Sequence, residues 1–174
     1  MKAISFIYKH FVVTTYRFSI KTFLWWRWQD KITDLCYLGG FPILKKDFSY
    51  FTKEQIKHII FIGKEIRYSK KWLEFLKKNW IKLHFFEIKD RHSIQQNILE
   101  KIYQIYEKGL DKKEKMYFHC TYGQWRSFTA LTYCLIKSEI KKYSEITKFV
   151  RQKRKQVAFT RRQKAGMDEI FGVY

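Results

Sequence analysis

The sequence is poor in residues that interrupt secondary structure, with 1 proline and 7 glycines among 174 residues. This composition excludes long proline-rich linkers and low-complexity segments, and no internal repeat is present. The 3 cysteines are an odd number without the paired spacing of metal ligands, so neither a disulfide framework nor a zinc site is predicted. No apolar run approaches the roughly 20 residues that a membrane-spanning helix needs. The length indicates one domain with a substantial core.

Acidic residues are scarce, since 16 Asp and Glu stand against 36 Lys and Arg, which leaves a formal net charge of +20. Residues 1–29 contain no acidic residue, and Ile4, Phe11, Phe18 and Trp25 recur there every seven positions. Such a basic, aromatic N-terminal segment is typical of a helix that lies on an anionic membrane. The alternatives are a helix packed on the rest of the chain and a cleaved targeting sequence.

A second basic segment, residues 137–164, carries 11 Lys or Arg against two acidic residues. Residues 151–155 within it are predicted to be the solvated end of an amphipathic helix. The apolar side of that helix is expected to include Tyr143, Ile146, Phe149 and Val150. The functional alternatives are attraction to acidic phospholipids or to the backbone of a nucleic acid.

Residues 119–127, His-Cys-Thr-Tyr-Gly-Gln-Trp-Arg-Ser, are the most informative about chemistry. They follow a short aromatic, strand-like run, residues 116–118, and precede a helical pattern in residues 127–137. A loop between a strand and a helix directs backbone N–H groups and a helix N-terminus at one point, where an anion binds. Arg126 at the start of the helix would add a bidentate guanidinium clamp, so these residues predict a phosphate site.

Cys120 lies inside this loop, where a helix N-terminus and Arg126 favour its thiolate. Cysteines in such surroundings have pKa values of roughly 3.5–7.5, against about 8.5 for a free thiol. We predict that Cys120 attacks phosphorus to form a cysteinyl-phosphate and that Arg126 clamps the phosphate. Ser127 would donate a hydrogen bond to the leaving sulfur, and His119 would orient the loop. The backbone amides of the site are predicted to come from Thr121, Tyr122, Gly123, Gln124, Trp125 and Arg126.

The pattern His-Cys-x-x-Gly-x-x-Arg-Ser resembles the signature of the cysteine-dependent protein tyrosine phosphatase superfamily, in its dual-specificity branch. The resemblance includes an opening strand with a Leu-Gly-x-x-Pro turn in residues 30–42 and a second strand with a closing acidic residue in residues 56–65. Within the branch, the chain is similar to the mitochondrial phosphatidylglycerophosphate phosphatases and their bacterial relatives. The likeness implies a catalytic domain in residues 30–174 and a phosphoric monoester hydrolase without a cofactor or metal ion.

The same resemblance implies a general acid about thirty residues before the cysteine. Asp90 lies thirty positions before Cys120 and follows a strand-like run. A positioned acid that protonates the leaving oxygen typically contributes about 10²–10⁴-fold to the rate. Glu87 is the alternative acid, while Asp90 or the neighbouring Ser93 would otherwise cap the helix predicted to follow.

Four loop positions depart from the family pattern and concern the substrate. Thr121 and Gln124 stand where lipid-acting relatives often place Lys or Arg. Tyr122 and Trp125 are bulkier than usual, so their rings would narrow the mouth, line it or pack outward. We expect a phospholipid phosphate at a membrane surface as substrate. The alternatives are a phosphotyrosine or phosphothreonine protein, a 5′-triphosphate RNA, and binding of phosphate without turnover.

The three cysteines also bear on the compartment. A catalytic thiolate requires reducing conditions, which predicts the cytoplasm or the mitochondrial matrix side, with peripheral attachment to a membrane. Cys36 and Cys134 are predicted to be small buried apolar residues, and a regulatory disulfide with Cys120 is the alternative.

The order of secondary structure predicts the fold class. Helical and strand-like patterns alternate along the chain, which indicates the α/β class with a central, largely parallel sheet of four to five strands flanked by helices. Strands are predicted near residues 35–38, 58–63, 82–88 and 115–119, and helices near 69–79, 93–108, 127–138, 143–155 and 166–172.

Overall fold

The computed structural model describes residues 28–172. Within them, one sheet of 5 strands has the order β1-β2-β5-β3-β4, with β1 antiparallel to β2 and all other neighbours parallel. The strands are β1 (Gln29–Lys31), β2 (Cys36–Gly39), β3 (Ile56–Ile62), β4 (Lys82–Phe86) and β5 (Lys115–His119). The helices are α1 (Lys45–Lys53), α2 (Lys70–Lys78), α3 (Gln96–Asp111), α4 (Arg126–Lys137), α5 (Tyr143–Lys153) and α6 (Arg161–Phe171). The predicted α/β class with a largely parallel sheet is confirmed.

The central strand β5 is buried on both faces, which explains its continuous run of apolar residues. Met116 and Phe118 point into one hydrophobic core, together with residues of α3, α4, α5 and α6. Tyr117 points into a second core, together with residues of α1 and α2. Because side chains alternate along a strand, each face of the sheet acquires its own core.

Helices α1 and α3 differ from the prediction. Helix α1 was not predicted; its nine residues bury Asp47, Phe48 and Phe51. Helix α3 begins after Gln95, so the alternative in which Asp90 or Ser93 caps it is wrong.

The start of α6 was also misplaced, since the helix begins at Arg161 rather than near residue 166. Thr160 and Gln163 form a capping box there, in which the backbone N–H of Gln163 donates to Thr160 Oγ1. This Thr-x-x-Gln spacing is visible in the sequence and would have predicted the start of the helix.

The predictions for residues 1–27 lie outside the described residues. Trp28 and Gln29, which the sequence analysis placed in the N-terminal segment, belong to the described domain. The indole Nε1 of Trp28 donates to the carbonyl oxygen of Phe41 at 3.1 Å, and Gln29 begins β1. Between residues 28 and 172, no helix combines the length and the hydropathy needed to cross a bilayer.

The second basic segment contains one error of prediction. Helix α5 buries Ile146 and Val150 as expected, and Tyr143 and Phe149 pack against the same core. Residues 151–155 were predicted to be solvated, but Arg154 is only 2% exposed. Its charge is compensated inside the protein by carbonyl oxygens and an aspartate, as described below.

The cysteines outside the loop are buried, as predicted. Cys36 lies in β2 and Cys134 in α4, and all 3 cysteines of the chain are free thiols. Burial raises the pKa of Cys36 to about 12 and raises that of Cys134 well above its ordinary value. Both are therefore neutral, unreactive core residues.

Candidate active site

The candidate site lies where the carboxyl ends of the parallel strands meet. The cysteine loop (residues 120–125) follows the central strand β5 and leads directly into α4. The ends of β2, β3 and β4 flank it at the same edge of the sheet. In open α/β sheets this edge is the usual place for a ligand, because loops from several strands converge there.

Cys120 is only 3% exposed, and its sulfur accepts hydrogen bonds from the loop and from Ser127. The backbone N–H of Gly123 donates to Sγ at 3.3 Å, and the hydroxyl of Ser127 donates at 3.4 Å. Burial alone would raise the pKa of this thiol, but the charge of Arg126 and the hydrogen bonds from Ser127 outweigh it. The pKa of Cys120 therefore lies below its ordinary value, which favours the nucleophilic thiolate.

Arg126 is 2% exposed, and both terminal nitrogens of its guanidinium have hydrogen-bond partners. Nη1 donates to the Glu65 carboxylate at 2.7 Å and to the Ile88 carbonyl at 2.9 Å. Nη2 donates to Thr121 Oγ1 at 3.1 Å, whereas the buried Nε has no partner among residues 28–172. A buried donor without a partner is costly, so the Nε side is suited to an oxyanion.

Glu65 is the counterion of this guanidinium. Burial would raise the pKa of its carboxyl group, but the hydrogen bond from Arg126 and its charge lower the pKa below the ordinary value. The carboxylate therefore stays ionised and keeps the guanidinium in place. Sequence analysis noted an acidic residue closing the second strand without giving it a role.

Asp90 lies at the mouth of the site. Its Oδ1 is 3.4 Å from Nη2 of Arg126, and its side chain is 44% exposed. Glu87, the alternative acid, is held on the surface by Lys64 at 2.7 Å and Arg67 at 3.2 Å. Of the two candidates, the structure places Asp90 beside the guanidinium.

His119 supports the loop from inside the protein. Its Nδ1 lies 3.2 Å from the carbonyl oxygen of Cys120, so Nδ1 carries the proton, and Nε2 accepts from the Tyr68 hydroxyl at 2.8 Å. The ring stacks on Phe61 at a centroid distance of 4.6 Å. Burial lowers the pKa of His119 to about 3. The imidazole is therefore neutral and orients the loop.

Arg154 holds the outer side of the cysteine loop. Its Nε donates to the Gly123 carbonyl at 2.9 Å and its Nη2 to the Tyr122 carbonyl at 3.1 Å. Its Nη1 forms an ion pair with Asp30 at 2.7 Å. Because the carbonyls of Tyr122 and Gly123 are drawn toward Arg154, the N–H groups of the loop are turned the other way, toward Cys120. Sequence analysis missed this role, since Arg154 lies within a run of surface charges.

Gly123 is required by both backbone conformation and space. Its φ of 68° lies in the left-handed region, and a Cβ at this position would come within 2.1 Å of the Gly39 carbonyl oxygen. A Cβ on Gly39 would in turn come within 2.1 Å of the Tyr117 hydroxyl. The Leu-Gly-x-x-Pro turn therefore supports the cysteine loop by close backbone packing, and the Phe41 N–H donates to the Thr121 carbonyl at 3.0 Å.

The two bulky residues of the loop point in different directions. Tyr122 packs against the core that contains Tyr37 and Tyr117. Trp125 precedes α4 at the mouth, where the guanidinium of Arg91 lies 5.6 Å from its ring centroid. Trp125 is therefore the ring that faces the loop carrying Asp90 and Arg91.

Several solved structures with a similar fold are named as phosphatases or phosphatase-like proteins. PTPMT1 in complex with PI(5)P has a TM-score of 0.73 at 20% identity, over 84% of this chain and 96% of that one. The active form of Tk-PTP has a TM-score of 0.74 at 20% identity, over 86% and 99%. This chain has the dual-specificity phosphatase fold. A human tyrosine phosphatase-like serine/threonine/tyrosine-interacting protein shares the fold with a TM-score of 0.71 at 16% identity, over 84% and 97%.

The sequence comparisons add nothing to this assignment. No protein-family model and no curated protein matches the chain. At identities of 20% or less, the structural likeness establishes the fold. The activity has to be argued from the residues of the site.

Proposed function

We propose that this protein is a cysteine-dependent phosphatase that hydrolyses phosphomonoesters. The observation that carries the proposal is the buried Cys120 sulfur, in its low-pKa environment, next to the Arg126 guanidinium whose Nε has no partner among residues 28–172. A phosphoryl group bound side-on to Nε and Nη2 would have the thiolate below it. Loop amides would face its equatorial oxygens.

The reaction would proceed in two displacements. The Cys120 thiolate attacks phosphorus, the bond to the leaving oxygen breaks, and Asp90 donates its proton to that oxygen. Asp90, now a carboxylate, takes a proton from a water molecule whose oxygen attacks the cysteinyl-phosphate. The P–S bond breaks, inorganic phosphate leaves, and Ser127 stabilises the departing thiolate by its hydrogen bond.

For the substrate, we propose a phospholipid phosphate at a membrane surface. A structural neighbour, PTPMT1, is described in complex with PI(5)P, and the net charge of +20 favours an anionic surface. The position of Asp90 beside Arg126 favours a monoester mechanism over the RNA 5′-triphosphatase alternative, whose members usually lack an acting aspartate.

The test is a panel of phosphorylated substrates. It contains p-nitrophenyl phosphate, short-chain phospholipid phosphates, phosphotyrosine and phosphothreonine peptides, and 5′-triphosphate RNA. We expect the highest kcat/KM on the phospholipid phosphates, complete loss in Cys120→Ser, and retention in Cys134→Ala, which removes a buried thiol outside the site. Phosphate binding without turnover of any substrate would contradict the enzymatic proposal. Highest activity on phosphopeptides would contradict the lipid substrate.

The proposed membrane attachment has a separate test. Deleting residues 1–25 should abolish sedimentation with acidic liposomes and leave hydrolysis of p-nitrophenyl phosphate intact, because Cys120, Arg126 and Asp90 all lie within residues 28–172. Full sedimentation of the truncated chain would place the membrane contact elsewhere. A reducing compartment, cytoplasm or mitochondrial matrix side, suits the proposed thiolate.

A further inference from the structure

We propose that Arg91 and Trp125 form a second anion subsite at the mouth, which binds the phosphodiester of a phospholipid substrate while the cysteine loop binds its phosphomonoester. This inference rests on the proposed function. The subsite would supply the positive charge that the cysteine loop itself lacks at Thr121 and Gln124.

The first argument is position. Arg91 directly follows Asp90, whose carboxylate is 3.4 Å from Arg126. Trp125 directly precedes Arg126, and the Arg91 guanidinium lies 5.6 Å from its ring centroid. Arg91 is therefore the sequence neighbour of the proposed acid, and Trp125 is the sequence neighbour of the arginine that would bind the phosphate.

The second argument is availability. Arg91 is exposed, and its guanidinium forms no ion pair or hydrogen bond with any of residues 28–172, so its N–H groups can donate to a ligand. Lys64 and Arg67, by contrast, are both engaged by Glu87. The ring of Trp125 restricts the guanidinium of Arg91, which reduces the entropy lost when an anion binds.

The third argument is backbone conformation. Arg91 has a φ of 58°, in the left-handed region that a residue with a Cβ rarely adopts. Because of this turn, the side chain of Asp90 lies beside Arg126 while that of the next residue, Arg91, lies over the ring of Trp125. Strain of this kind persists where the surrounding structure enforces it, and it concentrates at ligand sites.

The fourth argument is the charge around the pair. The segment that leads into α6 contacts both loops, since the Ala158 N–H donates to the Gln124 carbonyl at 3.2 Å and Gln163 Nε2 lies 3.5 Å from the His92 carbonyl. Arg161 and Arg162 begin α6 on this side and are exposed. The mouth is therefore basic beside the pair, which favours a substrate with two phosphates over one with a single phosphate.

The test compares two substrates that present the same phosphomonoester. Glycerophosphoinositol 5-phosphate, a deacylated lipid head group, carries the additional phosphodiester, and inositol 5-phosphate does not. For the native chain we expect a higher kcat/KM on the diester-containing substrate. In Arg91→Gln this preference should fall about fivefold to tenfold through KM, because an interaction made equally in the ground and transition states changes KM.

Two further variants separate a subsite from a general effect of charge. Lys112→Gln removes the same charge from an exposed turn before β5, at the opposite end of the sheet, and should leave the preference unchanged. Trp125→Leu should reduce the preference, and its combination with Arg91→Gln should reduce it little further, because the two residues act as one unit.

The outcomes distinguish the two proposals. An unchanged preference in Arg91→Gln, with both substrates hydrolysed, overturns the subsite and leaves the phosphatase proposal intact. If Arg91→Gln affects only phosphopeptides with acidic flanks, the subsite binds carboxylates and the phospholipid assignment is wrong. A native chain that hydrolyses no phosphate, p-nitrophenyl phosphate included, overturns the proposed function itself.

Discussion

Arg126 and Cys120 stabilise each other's charged forms in the interior of the protein. Burial would lower the pKa of Arg126, but the Cys120 thiolate, Glu65 and Asp90 raise it above the ordinary value. An isolated buried charge is expensive, whereas a network in which every charge has a partner is tolerated. Glu65 therefore serves the site indirectly, because it satisfies one side of the guanidinium while the other side faces the proposed phosphate.

Ser127→Ala tests the thiolate at the residue scale. Without this hydrogen bond, the pKa of Cys120 should rise, and the midpoint of its alkylation rate against pH should move to higher pH. Ser138→Ala, which removes a hydroxyl bonded to the Cys134 carbonyl, should leave the midpoint in place. A Ser127→Ala curve that overlays the native one would show that the hydroxyl does not act on the sulfur.

Asp90→Asn tests the proposed acid. Since the leaving oxygen would depart without a proton, kcat on alkyl phosphates should fall about 10²-fold or more. The loss on p-nitrophenyl phosphate should be smaller, because p-nitrophenolate is a better leaving group. Glu87→Gln is the matched control and should change kcat little, since Glu87 pairs with Lys64 and Arg67 at the surface. Equal losses of kcat in Asp90→Asn and Glu87→Gln would show that Asp90 is not the general acid.

At the element scale, the cysteine loop depends on neighbours on both sides. The turn at Gly39 packs against Gly123 from one side, and Arg154 at the end of α5 binds the loop carbonyls from another. His119, at the end of β5, holds the carbonyl of Cys120. Such support allows a loop with a left-handed glycine to keep its N–H groups aimed at one point.

Arg154→Met tests the support from α5. The change removes the ion pair with Asp30 and the hydrogen bonds to two loop carbonyls, which should lower the free energy of unfolding by about 3–5 kcal/mol. The freed loop should also donate less well to Cys120, so its alkylation midpoint should move to higher pH. Arg151→Met, on the exposed side of the same helix, is the control. Chemical denaturation and alkylation measure the two effects, and an unmoved midpoint would make Arg154 purely structural.

At the scale of the whole molecule, acid should destabilise the fold through the imidazoles of His119, which is buried, and His84, which is half-buried. Burial lowers the pKa of His119 to about 3, and burial followed by the charge of His58 lowers that of His84 to about 4. In the unfolded chain, the pKa of each of these imidazoles is about 6.5. Below that pH, the unfolded chain therefore binds more protons than the folded chain. This contribution to the free energy of unfolding is fully present above about pH 6.5 and is lost as the pH falls toward the pKa values of the folded chain.

This expectation is checked by thermal unfolding between pH 7 and pH 4.5. The Tm should fall with decreasing pH, and His84→Gln should flatten the decrease because one of the two sites is gone. His92→Gln, at an exposed position, should retain the native slope. A slope that is the same in all three proteins would assign the acid sensitivity to other groups.

The fold class and the chemistry of the loop could both be predicted from local patterns in the chain. Period-2 and helical patterns are local, so the alternation of strands and helices was readable. The residues from Cys120 to Ser127 are adjacent in the chain, and a strand–loop–helix necessarily brings neighbours of this kind to one point. The helix α1 was not predicted, although its nine residues bury Asp47, Phe48 and Phe51.

The distant residues that complete the site are brought to it by the packing of the strands and helices. Glu65 is 61 positions from Arg126, Tyr68 is 51 from His119, and Arg154 is 31 from Gly123. Their contacts depend on the order of strands in the sheet, which no local pattern encodes. The physical reason is that a charged residue has the same sequence signature on the surface and in the interior. Burial and partners distinguish the two, and both arise when the elements pack together.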